Sequence, residues 1–187
     1  SSERAGARLI NRDRMWHYVE GLQNWSPIWS NHGVRILPGP SSMWLDARGN
    51  RLQPPLLPGF DSLATLEHIV ATGFDYSWFV LTQKIIEKEF ALSGSEQNPD
   101  LTGKSWLKIL GRIFPGAAAP VEAFKKHGAD FVVRKTLPEL VQGMNDLTGE
   151  GLIDFEHLRA QVEARDRQLA NPYCKDAQIT ALRGARK

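Results

Sequence analysis

The strongest constraint on the fold is a concentration of proline between residues 36 and 59, in the strings ILPGPSS and LQPPLLPG. Proline fixes φ, lacks a donor N–H and breaks helix interiors, so this region is predicted to be extended chain that crosses a surface. The string between them, SMWLDARGNRL, predicts a short strand, a turn at residues 48–50 and a return strand. Gly49 and Asn50 favour that hairpin because both tolerate a positive φ.

Most of the remaining chain places apolar residues at helical spacing. The first such stripe consists of Met15, Tyr18, Val19 and Leu22. Further helices are predicted over residues 61–73, 83–91, 104–113, 119–127, 136–144 and 154–169, and from residue 179 onward. The helix near residue 136 begins with a capping box, T-x-x-E, formed by Thr136 and Glu139.

Two strands are predicted among these helices. The string YSWFVLT at residues 76–82 is aromatic and β-branched, so both of its faces are expected to be covered. The string DFVVR at residues 130–134 predicts a second, short strand. Because strands come singly among helices, the predicted fold class is α+β, mostly helical with a small sheet, in one domain of residues 1–187.

The string NPDLTGKSW ends like a phosphate-binding loop, G-x-x-x-x-G-K-S/T, with Gly103, Lys104 and Ser105. Asn98 occupies the position of the first glycine, and the preceding residues, SGSEQ, indicate a turn rather than the required strand. The sequence also lacks a G-x-G-x-x-G fingerprint after a strand. Any nucleotide cofactor must therefore be held mainly by residues outside this chain.

Composition excludes several other classes of protein. A net charge of +2 is too small to indicate a nucleic-acid partner over the whole surface, so none is predicted. The basic stretch at residues 159–187 is interpreted as a solvated helix face, with nucleic-acid binding through this stretch as the weaker alternative. No apolar run approaches the roughly 20 residues that cross a bilayer, so no membrane span is predicted. Cys174 is the single cysteine, and a chain without disulfides fits the cytoplasm.

The histidines form neither a metal-binding pattern nor a catalytic triad. No two of them stand at i, i+4, and none lies in an H-E-x-x-H motif or beside a cysteine. No metal site is therefore predicted from the five histidines, which are His17, His32, His68, His127 and His157.

Tryptophan is abundant near the start of the sequence, where five of the six lie before residue 79. Large aromatic rings contribute much of the packing in cores and of the contact area in interfaces. Two hypotheses stay open: the rings pack beneath the proline-rich surface, or they wall an apolar pocket or an interface with another domain. The residues concerned are Trp25, Trp29, Trp44 and Trp78.

Three strings resemble one family: GVRILPGPSSMWLDARGNRLQPPLLPGFDSLATLEHI, GFDYSWFVLTQKIIEKEFALSGSEQNPDLTGK and ADFVVRKTLPELVQGMN. The family is that of bacterial FAD-binding dehydrogenases. These are relatives of the 3-ketosteroid Δ1-dehydrogenases and of the flavoprotein subunits of fumarate reductase and succinate dehydrogenase. The likeness spans nearly all of residues 12–187 and consists of packing and turn motifs rather than a catalytic signature.

The resemblance implies a two-part protein, in which a split FAD-binding domain carries a capping domain that closes over flavin and substrate. This chain is then expected to be the capping domain alone, excised from a longer protein and inactive by itself. The start at Ser1 and the uncapped helical spacing of Ile179, Leu182 and Ala185 agree with that expectation. The expected cofactor is FAD, and the expected partners are the missing FAD-binding domain and a small substrate, a steroid or a dicarboxylate.

Enzymes of this kind move hydride between a C–C bond and the flavin, while a protein acid or base handles the second hydrogen. Fumarate reductases use an arginine from the capping domain, and ketosteroid dehydrogenases use tyrosines. The candidate catalytic residues here are Tyr76, Arg35 and His32, because they border the family-like strands, and the resemblance assigns no cofactor-binding residue. The alternative hypothesis is a stand-alone protein-interaction module with a docking surface rich in Trp and Pro.

Overall fold

A computed structural model describes residues 2–12, 18–104 and 115–185. A short 3₁₀ helix, Ser2–Ala5, comes first. The strands are β1 (Gly21–Gln23), β2 (Gly33–Leu37), β3 (Met43–Leu45), β4 (Trp78–Val80) and β5 (Ala91–Leu92). The helices are α1 (Ser62–Ala71), α2 (Gln83–Lys88), α3 (Pro99–Thr102), α4 (Ala119–His127), α5 (Leu137–Thr148), α6 (Phe155–Ala170) and α7 (Ala177–Ala185).

The strands form two small antiparallel sheets in the described part of the chain. One has the order β1-β2-β5, with Leu22 opposite Val34 and Ile36 opposite Leu92. The other pairs β3 with β4, with Trp44 opposite Phe79. Together with the helices, these sheets confirm the predicted α+β class.

Three buried clusters hold these elements together. The first packs β2, α2 and β5 against α4 around Phe124. The second packs β3 against α5 and α6 around Leu158, which is fully buried. The third places Trp44 against Leu52 and Ile69 of α1. Each cluster unites segments that are distant in sequence, so the fold depends on long-range contacts.

The turn predicted at residues 48–50 is confirmed. The Asp46 carboxylate accepts hydrogen bonds from the Arg48 and Asn50 amides at 2.9 and 2.8 Å, and Gly49 has a φ of 81°. The predicted return strand is reduced to one bridge, between Leu45 and Arg51, because β3 takes β4 as its main partner.

Several predicted helix starts are also confirmed by their caps. The Asp61 side chain accepts from the Ala64 amide at the start of α1. Thr136 and Glu139 form the complete capping box at the start of α5. Capping uses side chains within three residues of the helix start, so it can be recognised from local sequence.

The helix predicted over residues 15–22 is wrong in its described part, and Met15 lies outside the described residues. Leu22 belongs to β1, and the Glu20 carbonyl accepts from the Ile36 amide at 3.0 Å. Backbone groups that bond to β2 cannot also form helix hydrogen bonds, so sheet pairing overrides the apolar stripe.

The strand predicted at residues 130–134 is also wrong, since this segment joins neither sheet. It is held instead by side chains. The Asp130 carboxylate accepts from the Gln23 amide at 2.7 Å. Val132 packs so closely on Gly143 of α5 that a Cβ at Gly143 would lie 2.7 Å from Val132 Cγ1.

Other predictions need smaller corrections. The strand predicted at residues 76–82 is only three residues long and half-buried, not covered on both faces. The helix predicted over residues 83–91 ends at Lys88, and its last predicted residue belongs to β5. The helix predicted over residues 104–113 falls almost wholly outside the described residues.

Candidate functional site

The main cleft in the described part of the chain has a volume of about 1080 Å³. It lies between β1, β4, the segment 130–134 and α5. Its lining is largely apolar and aromatic, and includes Leu22, Ile69, Trp78, Phe79, Phe131 and Met144. A concave, mostly apolar site with a few polar groups is the usual form of a small-molecule site.

Tyr76 lines this cleft immediately before β4. Its ring makes edge contacts with Phe74 and Trp78, at centroid distances of 5.9 and 5.7 Å. Its hydroxyl donates a hydrogen bond to Glu150 Oε2, in the loop after α5. Burial and then the hydrogen bond and charge of Glu150 raise the pKa of Tyr76 to about 12. At neutral pH Tyr76 is therefore a protonated hydrogen-bond donor and a poor base.

We expect an alkaline titration of the chain, followed by tyrosinate absorbance, to contain a step near pH 12 that Tyr76→Phe removes. Glu150→Gln should lower this step only in part, because burial, the larger cause of the raised pKa, remains. The free energy of unfolding should fall from about pH 10 upward, because the unfolded phenol ionises before the folded one. Tyr173→Phe serves as the control, and an unchanged step in Tyr76→Phe would contradict the assignment.

His32 also lines the cleft, in the loop between β1 and β2. Its Nδ1 accepts a hydrogen bond from the Ile28 backbone amide at 3.2 Å. The same Nδ1 lies 3.2 Å from Nδ2 of the Asn24 side chain. A nitrogen that accepts a backbone N–H carries no proton, so the neutral ring has its proton on Nε2. Nε2 lies 3.5 Å from Glu96 Oε1, and Trp29 stacks on the ring at 3.7 Å. These contacts indicate that the main role of His32 is to hold the loop in its conformation.

Arg35 lies on β2, outside the set of residues that line the cleft. Its guanidinium carbon lies 4.1 Å from the centroid of the Tyr18 ring, and Tyr18 is part of the cleft wall. Its Nε is buried and has no hydrogen-bond partner among the described residues. The structure thus brings Tyr76 and His32 to one cleft and leaves Arg35 outside its lining, against Tyr18.

The four tryptophans divide between the two hypotheses raised by the sequence. Trp44 is buried, stacks on Phe79 at 4.6 Å and donates to Ser77 Oγ at 2.9 Å, so it belongs to the core. Trp78 lines the cleft. Trp25 and Trp29 are exposed.

Glu150 is the main site residue that sequence reasoning missed. It stands 74 positions after its partner Tyr76 and belongs to no motif. The only local signal is its place between Gly149 and Gly151, both at positive φ, which marks a tight loop but not a contact.

Two negative findings apply to residues 2–12, 18–104 and 115–185. Within these ranges, no group of three or more His, Cys, Asp or Glu side chains is arranged to hold a metal ion. No helix in the same ranges combines the length and apolar character needed to span a membrane.

Residues 1–184 match the protein family described as FAD binding domain, and the chain belongs to this family. The chain is 59% identical over 185 residues to a KsdD-like steroid dehydrogenase of Mycolicibacterium smegmatis, covering 99% of this chain and 34% of that protein. It is 57% identical over 187 residues to a KsdD-like steroid dehydrogenase of Mycobacterium tuberculosis, covering 100% of this chain and 33% of that protein. No solved structure matches the chain.

These findings confirm the resemblance to FAD-binding dehydrogenases and FAD as the cofactor of the family. The chain spans about a third of the length of these curated relatives.

The described residues do not fit the phosphates of FAD. A dinucleotide site needs parallel strands joined by a helix that begins at a glycine-rich turn. Every strand pair in the described ranges is antiparallel. The helix that follows β4, α2, is capped by Thr82 and has no glycine in its first turn. The described residues therefore provide a cleft but no cradle for the phosphates of FAD.

Proposed function

We propose that this chain is the substrate-side capping domain of a FAD-dependent oxidoreductase that acts on a C–C bond of a steroid-like molecule. The proposal is carried by one combination of findings. The chain belongs to a FAD-binding family, but its described residues form a largely apolar cleft and no phosphate cradle. The relatives are described as steroid dehydrogenases, which favours a steroid over a dicarboxylate. On this proposal the chain alone is inactive, because the residues that hold the cofactor lie elsewhere.

The cleft contributes three properties to such a site. Its aromatic and aliphatic walls, Trp78 and Phe79 among them, exclude water from an apolar substrate. Tyr76 offers a protonated hydroxyl, which can turn from Glu150 to a substrate oxygen. His32 keeps its own loop, between β1 and β2, in place at the cleft wall.

The test compares the full-length protein with this chain alone. We expect the full-length protein to purify with bound FAD and visible flavin absorbance, and the 187-residue chain to retain none after the same washing. Anaerobic addition of a 3-ketosteroid should bleach the flavin of the full-length protein, whereas succinate should not. A colourless full-length protein, or tight FAD retention by the chain alone, would overturn the proposal.

A second candidate function is a stand-alone interaction module. It is favoured by the exposure of Ile28 and Trp29, which contact-forming surfaces often present. The same purification separates the two candidates, since a module of this kind has no reason to carry flavin in any version of the protein.

A further inference from the structure

We propose that the outward face of the loop at residues 24–32, which we call the aromatic loop, docks on the FAD-binding part of the same polypeptide. This inference rests on the proposed function and adds the surface through which the two parts meet. It is carried by three observations: the loop is fixed internally, its large apolar side chains face outward, and it stands at the wall of the cleft.

The loop is fixed by contacts around one buried histidine. His32 Nδ1 accepts from the Ile28 amide, and its ring stacks on Trp29. The His32 amide donates to the Trp29 carbonyl at 3.3 Å, and the Asn24 side chain accepts from the Ser26 amide at 2.9 Å. A loop held in this way loses little conformational entropy when it binds, which favours its use as a preformed contact surface.

The side chains on the outer face are large, apolar and exposed. Ile28 is 66% exposed and Trp29 is 58% exposed, whereas Trp44 in the core is 3% exposed. Trp25 is also exposed, although one edge meets Phe124 and its ring lies 5.0 Å from that of His127. Clusters of this kind, carried on a rigid support, are characteristic of buried interface centres rather than of free surface.

The position of the loop indicates which part of the protein covers its exposed face. Asn24, Pro27, Asn31 and His32 line the cleft, so residues on both sides of Ile28 and Trp29 in the loop belong to the cleft wall. The relatives have about two thirds of their length outside the region that this chain matches, and the described residues lack a phosphate cradle. The part that carries FAD must approach the cleft to bring the flavin to the substrate. It then meets the aromatic loop.

The test is hydroxyl-radical labelling of the full-length, flavin-loaded protein, read residue by residue by mass spectrometry. We expect Trp29 to lose its labelling down to the level of Trp44, the buried internal reference of the same residue type. Tyr173, which is 87% exposed and distant from the loop in sequence, should label rapidly and is the exposed reference. Flavin content is measured on the same sample.

The outcomes separate this inference from the proposed function. A flavin-loaded protein in which Trp29 labels at the rate of an exposed tryptophan overturns the docking surface and leaves the proposed function intact. A full-length protein without flavin overturns the proposed function itself. Protection of Trp29 that appears only with added steroid overturns the inference, because the loop is then a ligand surface. Protection that appears only at high protein concentration also overturns it, because a second copy then covers the loop.

A variant provides an independent measurement. Ile28 holds the loop through its backbone amide, which a substitution keeps, and its side chain is exposed in this chain. Ile28→Ser should therefore leave the loop intact and lower the thermal midpoint of the full-length protein by removing an interface contact. Val70→Ser on α1, at a similarly exposed aliphatic residue, is the matched control. Equal midpoints for Ile28→Ser and the parent protein would contradict the docking surface.

Discussion

Phe124→Ala is expected to lower the free energy of unfolding of this chain by about 3–5 kcal/mol, the usual cost of removing a buried phenylalanine ring. Phe124 is 1% exposed and lies at the centre of the cluster that joins α4 to β2 and β5. The Trp25 ring meets it edge-on at a centroid distance of 6.5 Å. The variant loses both the transfer energy of the ring and the contacts of the atoms around it, since the neighbours belong to separate elements and cannot all move inward.

Urea unfolding followed by circular dichroism measures this loss, and Phe60→Ala is the matched control. Phe60 is 74% exposed, so its removal should change the free energy of unfolding by less than about 0.5 kcal/mol. The loss in free energy of unfolding for Phe124→Leu should lie between those of Phe124→Ala and Phe60→Ala, because leucine keeps part of the buried volume. A loss below about 1 kcal/mol for Phe124→Ala would mean that α4 is not packed on the sheet as described.

The parts of the fold that could be predicted from the sequence are those decided within a few residues. The Thr136–Glu139 capping box and the Asp61 cap were predictable because the capping side chain and the amide it satisfies are neighbours. The turn at residues 48–50 was predictable for the same reason, since Gly49 supplies the positive φ locally.

Strand pairing was not predictable at this level. β1 and β5 are three and two residues long, and each becomes a strand only because β2 lies between them. The segment DFVVR shows the reverse. It has the composition of a strand, but it packs against Gly143 of α5 and pairs with no strand edge among the described residues. Composition reports what a segment tolerates, whereas its neighbours decide what it forms.

The candidate site divides in the same way. Tyr76 and His32 could be selected because each borders a strand, and both line the cleft. The partner of Tyr76, Glu150, and the partner of His32, Glu96, could not be selected, because these contacts join separate loops. The hydrogen bonds and charges around these two residues therefore came from the structure, and their role in a reaction stays a prediction.

Arg51→Met is expected to destabilise the chain by about 3 kcal/mol, because it leaves a mostly buried carboxylate without its partner. Arg51 donates to Asp176 Oδ2 at 2.5 Å and Oδ1 at 3.2 Å, and to Gln178 Oε1 at 2.8 Å. Gln178 in turn donates to the carbonyls of Pro40 and Ser42. One guanidinium thus connects the turn after β3 with the start of α7.

The pH dependence of this contact has a definite sign. Burial alone would raise the pKa of Asp176, but the hydrogen bond from Arg51, the Ile179 amide and the charge of Arg51 hold that pKa below its usual value. A lowered carboxyl pKa contributes stability that is present above about pH 4, the unfolded value, and is lost as the pH falls through the folded one. The stability difference between the parent chain and Arg51→Met should therefore narrow below about pH 4.

A double-mutant cycle with Asp176→Asn separates the charge pair from the helix cap. Asparagine keeps the oxygen that accepts from the Ile179 amide at the start of α7, so the single change removes charge and little else. Arg51→Met should cost much less in the Asp176→Asn background, because no unpaired carboxylate then remains. Arg159→Met on α6 is the matched control: its partners Glu156 and Glu163 are exposed, so it should cost far less than Arg51→Met. Equal losses for Arg51→Met and Arg159→Met would show that the Arg51 contact behaves as a surface pair and does not join α7 to the rest of the fold.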